Sequence, residues 1–294
     1  MKIESNRGWL FLIPALLIMA LNAFIPFMTV INYSFQDILP GLDPIWVGLE
    51  NYVNVLQDPD FRSAFVRQLI FSFVILGIQV PLGILISLGM PKSGWKAVTA
   101  LIIVGLPLLI PYNVVGIIWR VFTRSDLGLF PLLFEPFGYN YNVGENPVDA
   151  YGTVLLMDVW HWTPLIVLLC YSALNAIPDA YYQAARIDGA SRWKTFRYII
   201  LPRMRNVLTI GILLRFMDSF RIFTEVSLLT GGGPGTTTSF LSDLLVRNAV
   251  GSFNFGYAAA MSLIYFYVIL IISYVFFIVL TSVGTGEEGQ PTAE

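Results

Sequence analysis

Six stretches of this chain, residues 9–31, 65–88, 97–119, 152–173, 207–229 and 258–280, are long and apolar enough to cross a bilayer as helices. A hydrocarbon core about 30 Å thick takes about 20 apolar helical residues, since a helix rises about 1.5 Å per residue. In lipid every backbone N–H and C=O must be paired within the protein, and a helix does this inside one segment. The pattern therefore predicts an all-α, polytopic membrane protein with six transmembrane helices in one domain over residues 1–283. The acidic stretch 284–294 reads as a disordered tail. Composition agrees, with 56% hydrophobic and 12% charged residues, against about 25% charged in soluble domains. Lys2 and Arg7 precede the first stretch as they would a signal peptide. It is longer than a signal core and lacks a clear small-residue cleavage site, so it reads as a span.

The basic residues set an expected orientation. Lys2, Arg7, Lys92, Lys96 and the cluster Arg186, Arg192, Lys194, Arg197, Arg203 and Arg205 fall on one side of the six stretches. The loops 34–64, 123–151 and 231–257 are rich in acids such as Asp37, Glu50, Asp58 and Glu145. Lysine and arginine mark the cytoplasmic side, whereas acids contribute little. Both termini are thus expected in the cytoplasm of a bacterial cell, the chain lying in its inner membrane. Cys170 is the only cysteine, so no intrachain disulfide can form, and its apolar surroundings suggest a small buried hydrophobe. With one histidine and no cysteine cluster, no metal site is expected, nor is a nucleic-acid partner.

The basic cluster lies in a polar island, residues 177–205, between the fourth and fifth stretches. A simple connection would need only a few residues. Its grammar is that of two short helices. Pro178 suits a first turn, Gly189 can take the left-handed conformation that ends a helix, and Ser191 can cap a second helix that Pro202 stops or kinks. Tyr182, Ala185 and Gly189 recur at helical spacing, which would give a small-residue face for a close partner. Charge and periodicity alone leave two readings open: a basic hairpin on anionic membrane lipid, or a docking element for a partner protein.

The residues Gln183-Ala184-Ala185, Asp188-Gly189-Ala190, Ile199 and Leu201-Pro202 resemble the EAA loop of ABC-transporter membrane subunits. That pattern runs Glu-Ala-Ala, three residues, Gly, nine residues, Ile, one residue, Leu-Pro. Gln183 stands where the family usually has Glu, and it offers a neutral hydrogen bond in place of a carboxylate. The segment Leu229-Thr-Gly-Gly-Gly-Pro234 is similar to one in carbohydrate permeases of the maltose-transporter class. The resemblance implies a permease subunit of a binding-protein-dependent importer for a sugar or polyol, with no enzymatic activity of its own. It implies that Tyr182, Gln183, Ala184, Ala185, Asp188, Gly189 and Ala190 form a coupling helix against a cytoplasmic ATPase. Two ATPase copies, a second related permease and an outer solute-binding protein would complete the assembly. The chain itself would hold no cofactor, ATP being bound by the partner.

The fifth stretch carries Arg215, Asp218, Arg221 and Glu225, and the fourth carries Asp158, Trp160, His161 and Trp162. On an ideal helix the four charged residues fall within an arc of about 120°, with Asp218 near mid-membrane. Charges at that depth face a bundle interior or a wet cavity. One reading makes Arg215–Asp218 and Arg221–Glu225 self-satisfied pairs that hold helices together. The other has Asp218, Arg221 and Glu225 line a substrate path opposite Asp158 and His161, with Trp160 or Trp162 as an apolar ring face for a sugar.

Two rivals follow from the same residues. One is an ABC permease for a non-carbohydrate solute, against which the glycine segment speaks. The other is a gradient-driven transporter whose intramembrane charges relay protons; such a protein has no need of the 177–205 island. The glycine run is not a nucleotide site, because it lacks the Lys-Ser/Thr of a phosphate-binding loop.

Overall fold

A computed structural model describes the backbone of residues 8–282 and the side chains of residues 11–279. The tail expected at 284–294 lies outside the described residues. The elements in order are α1 (Gly8–Ser34), β1 (Gln36–Asp37), β2 (Ile45–Trp46), α2 (Glu50–Gln57), α3 (Pro59–Gly89), α4 (Trp95–Gly105), α5 (Tyr112–Phe122), α6 (Leu129–Phe134) and α7 (Pro147–Asn175). They continue with α8 (Asp179–Ile187), α9 (Arg192–Thr195), α10 (Leu201–Ser219), α11 (Thr224–Leu229), α12 (Leu241–Val246) and α13 (Phe255–Ser282). The two strands make a single antiparallel pair, Gln36 opposite Trp46. The protein is all-α, and α1, α3, α7 and α13 are each long and apolar enough to cross a membrane.

The other two expected spans are not single helices. Pro107 opens a 3-10 turn over Pro107–Leu109, and Ile110 before Pro111 is extended at φ −82°, ψ 127°. A proline pushes its predecessor out of the α region and removes a donor, so α4 and α5 are separate pieces, not one bent helix. The expected span 207–229 divides into α10 and α11 around residues 220–223, a break with no proline or glycine in it.

Two compact units emerge. The first comprises the described parts of Met1–Ser63 and Leu244–Val268. In it, buried Asn51 donates Nδ2 to the carbonyls of Ser34 at 3.1 Å and Gln36 at 2.9 Å, fastening α2 to the end of α1. Phe35 stacks on Trp46 at 5.4 Å across the strand pair.

The second unit comprises the described parts of Ala64–Asp243 and Ile269–Glu294. Its axis is α7, the most buried of the four long helices. One apolar core joins Phe71 and Ile75 of α3, Val115 and Trp119 of α5, Val154 and Met157 of α7, and Val226 and Leu229 of α11. Another packs Ile166, Cys170 and Leu174 against Ile200 and Met204. Asn146 caps α7 by accepting from Val148 N, and Tyr139 donates to Asp149 in its first turn at 2.6 Å. That bond to a carboxylate, with burial and the nearby charge, raises the Tyr139 hydroxyl pKa above its usual value. Burial pushes Tyr141, in the same loop, up to about 12.

Candidate functional site

A polar stripe in α3 explains how α10 can end inside an apolar environment. Gln68, Ser72, Gln79 and Ser87 recur at helical spacing and are all buried. Gln68 donates Nε2 to the Ser219 carbonyl at 3.0 Å, and the Ser72 and Ser219 hydroxyls share a hydrogen bond of 2.7 Å. Beyond the break, Ser242 donates to the Ile222 carbonyl. Carbonyls freed at a helix end must be paired when water is absent, and here side chains do it. Gly116 lets α11 lie against α5. A Cβ there would meet the Glu225 carbonyl oxygen at 2.9 Å and Leu228 Cβ at 2.9 Å, too close for any other residue.

Arg215 is the centre of the resulting cluster and is wholly buried. Its Nε donates to Gln79 Oε1 at 2.9 Å and one terminal nitrogen donates to Asp218 Oδ2 at 3.2 Å. The other terminal nitrogen donates to Asp158 Oδ1. Gln79 in turn donates to Asp158 Oδ1 at 2.8 Å and to its carbonyl at 3.1 Å. The guanidinium also lies over the Trp162 ring, 4.9 Å from its centroid. A buried charge is tolerable only when paired and hydrogen-bonded, and a planar fork of five donors can meet three acceptors at once.

A cavity of about 120 Å³ opens beside this cluster, lined by Tyr112, Asp158, Trp162, Arg215, Asp218, Arg221, Ile222, Thr224 and Glu225. Asp158, Asp218, Arg221 and Glu225 therefore come together as the sequence suggests, but not on one helical arc, since Arg221 lies in the break and Glu225 on α11. Arg221 approaches Asp218 at 3.8 Å, with its side chain 81% exposed. Of the two pairs in the helix-holding reading, Arg215–Asp218 forms, whereas among the described residues Glu225 has no ion pair within 4 Å and Arg221–Glu225 does not. His161 sits behind the lining, buried and edge-on to Tyr112 at 5.6 Å. Trp160 points elsewhere and packs on Trp119 at 6.0 Å, leaving Trp162 as the indole at the cavity. Gln79, Tyr112 and Thr224 were not anticipated. Gln79 alone carried a signal, as a polar residue within an apolar run.

The 177–205 island forms the expected pair of helices. Pro178 precedes the first turn of α8, and Gly189 ends α8 at φ +64°. The chain then closes with Ala190 N donating to the Ala185 carbonyl at 2.9 Å, the wrap-around bond of a left-handed helix end. Ser191 accepts from Lys194 N at 3.3 Å and caps α9. Pro202 does not stop the helix. A π-helical turn over Phe196–Ile200 precedes it and the chain continues as α10, which absorbs the missing donor.

The free face of α8 differs from the expected one. Ala185 is buried and Tyr182 packs on the core beside Ile200. Gln183, Ala184, Arg186, Ile187 and Asp188 are exposed instead, as are Trp193 and Tyr198. Ile187 is 87% exposed. Ala184, Ala185, Asp188, Gly189 and Ala190 line a groove of about 350 Å³ with Lys194 and Tyr198. On its inner side α8 is tied to the α3–α4 turn. Lys92 pairs with Asp179 at 3.3 Å and lies 4.3 Å from the Tyr182 ring centroid, while Tyr171 donates to the Pro91 carbonyl at 2.8 Å. Among the described residues no group of three His, Cys, Asp or Glu side chains could hold a metal ion.

Residues 79–284 match the family described as binding-protein-dependent transport system inner membrane component. The trehalose/maltose transport system permease protein MalF of Thermococcus litoralis is 31% identical over 271 residues, covering 91% of each chain. The trehalose transport system permease protein SugA of Mycobacterium tuberculosis is 26% identical, covering 98% of this chain and 92% of that one. Among solved structures, a bacterial ABC transporter involved in the import of the acidic polysaccharide alginate aligns with a TM-score of 0.82 at 21% identity. That alignment covers 95% of this chain and 97% of the other, and is a likeness of fold.

Proposed function

Because the chain belongs to the family of binding-protein-dependent transport system inner membrane components, we propose that it is one of two permease subunits of an ATP-driven sugar importer. The observation that carries this reading is the capped α8–Gly189–α9 hairpin. It presents Ile187, Trp193 and Tyr198 to solvent beside a groove. Apolar side chains left exposed among charged ones such as Arg186, Asp188 and Lys194 suit a protein contact, and the partner proposed for it is a cytoplasmic ATPase. Membrane lipid surrounds the long helices, whose exposed leucines and phenylalanines suit it.

Sugar is the cargo favoured by the similar proteins, two of which are named for trehalose or maltose transport. The assembly is then this chain, a related second permease, two ATPase copies and an outer solute-binding protein. Counting α4–α5 and α10–α11 as broken crossings, the chain passes the membrane six times, with the hairpin and both termini in the cytoplasm. Asp158, Asp218, Arg221 and Glu225 with Trp162 and Tyr112 form its share of the path. The carboxylates accept hydrogen bonds from sugar hydroxyls and the aromatic rings cover the apolar C–H face. ATP binding and hydrolysis shift the balance of inward-open and outward-open states only through different affinities for the two.

The test is uptake of trehalose or maltose into vesicles bearing the reconstituted complex. The reading expects uptake that requires internal-side ATP and persists when ion gradients are collapsed. Uptake that follows an ion gradient without ATP would defeat it.

A further inference from the structure

A second cavity, of about 200 Å³, lies where α3, α7 and α8 meet the α3–α4 turn. Leu88, Met90, Leu174, Asn175 and Tyr182 line it, together with Lys92 of the turn. Tyr171 holds the turn in place by donating to the carbonyls of Pro91 at 2.8 Å and Lys92 at 3.2 Å. The Lys92 ammonium lies 4.3 Å from the Tyr182 ring centroid. Of its three donors one goes to Asp179 at 3.3 Å, in an exposed pair weak enough for another anion to exchange with the carboxylate. Asn175, exposed at the same cavity, brings an amide donor. Next to these polar groups the surface is apolar. Leu82, Leu85 and Leu88 follow every three residues along α3 and are 37%, 66% and 41% exposed. Beyond the turn, α4 opens with Trp95 and Lys96, both exposed.

We propose that this cavity seats the headgroup phosphate of an anionic phospholipid of the cytoplasmic leaflet; the choice of leaflet rests on the orientation proposed above. The cavity lies at the ends of the crossings ascribed to α3 and α7, level with the headgroups. There the phosphate takes the Lys92 ammonium and the Asn175 amide, and an acyl chain runs along Leu88, Leu85 and Leu82. Tryptophan and lysine are the residues that sit at this level in membrane proteins, as Trp95 and Lys96 do here. The net negative charge of the lipid supplies an attraction to lysine that a zwitterionic lipid lacks. A soluble anion would match the ammonium but leave the leucine track uncovered. The lipid touches Tyr182 and so backs the helix α8, whose outer side is proposed for the ATPase.

The experiment titrates the delipidated, detergent-solubilised permease–ATPase complex with phosphatidylglycerol or with phosphatidylcholine of the same acyl chains. Bound lipid is counted by native mass spectrometry. The expected result is a site that holds phosphatidylglycerol about fivefold more tightly than phosphatidylcholine, the factor that one lysine near a headgroup supplies. Lys92→Gln should erase that preference, and Asp179→Ala, which removes the competing acid, should enlarge it. A merely structural ion pair would respond alike to both substitutions. Both side chains are exposed, so both variants should assemble. Equal binding of the two lipids, or a preference unchanged by Lys92→Gln, overturns the proposal. Glycerophosphoglycerol, the soluble headgroup, binding as tightly as the lipid would also overturn it and make the site one for a free phosphate ester. Detergent has no sides, so the result is independent of which leaflet the turn faces and of which solute the chain carries.

Discussion

Arg215 Nε donates to Gln79 Oε1 at 2.9 Å, a side-chain bond that joins α10 to α3 across 136 positions of sequence. The same guanidinium reaches α7 through Asp158. Removing one partner from such a cluster strands a buried charge and costs about 3–5 kcal/mol. Arg215→Met should therefore lower the unfolding temperature of the detergent-solubilised complex strongly. Gln79→Leu, which removes a neutral partner, should cost about 1–3 kcal/mol. Thermal unfolding followed by light scattering compares the two, and equal small shifts would remove Arg215 from its central place.

The tie between α8 and the α3–α4 turn is of another kind. Lys92 and Asp179 pair at 3.3 Å with side chains 60% and 80% exposed. Exposed pairs are worth about 0–1 kcal/mol and are screened by salt. Asp179→Ala should thus leave thermal stability almost unchanged, in contrast to Arg215→Met. A large loss of stability on this substitution would show a role in the hairpin that ion pairing cannot explain.

Gly189 sits at φ +64°, where a β-branched residue is strained, yet a Cβ there would meet nothing within 4 Å in this chain. Gly189→Val should then cost about 1–3 kcal/mol locally, while the chain still enters the membrane. Its expected consequence is a loosened ATPase. Affinity purification should recover severalfold less ATPase with the variant, and Gln183→Glu should recover as much as the unaltered chain or more. Normal stoichiometry together with full coupled hydrolysis in Gly189→Val would separate the hairpin from ATPase docking.

Orientation is open to single-cysteine labelling in a Cys170→Ser background. Ser93 and Ser191 are exposed and lie in the α3–α4 turn and the hairpin. Cysteines there should react only with reagent supplied from the cytoplasmic side. Those at exposed Ser125 and Thr236 should react from outside. Outside labelling at position 191 would overturn the topology and the docking surface together.

The four long helices were readable because length and apolarity alone determine them, and Gly189 and Ser191 were readable because helix ends have local chemistry. The breaks divide along the same line. Pro107 and Pro111 announce the α4–α5 interruption, though not that it separates two helices. Residues 220–223 contain no helix breaker. Their bend is held by Gln68 and Ser242, which are distant in sequence, so no local pattern reveals it. The break puts Glu225 on α11, off the ideal arc. The choice between Trp160 and Trp162 likewise depends on which side of α7 meets Arg215, a tertiary fact.

The most direct measurement is ATP-dependent trehalose uptake by complexes carrying Asp218→Ala or Arg221→Ala, taken together with their assembly and basal ATPase activity. Both side chains line the cavity, and Arg221 is 81% exposed, so at least Arg221→Ala should assemble normally. The account predicts uptake reduced at least tenfold with assembly and basal hydrolysis retained. Normal uptake by both assembled variants would contradict it.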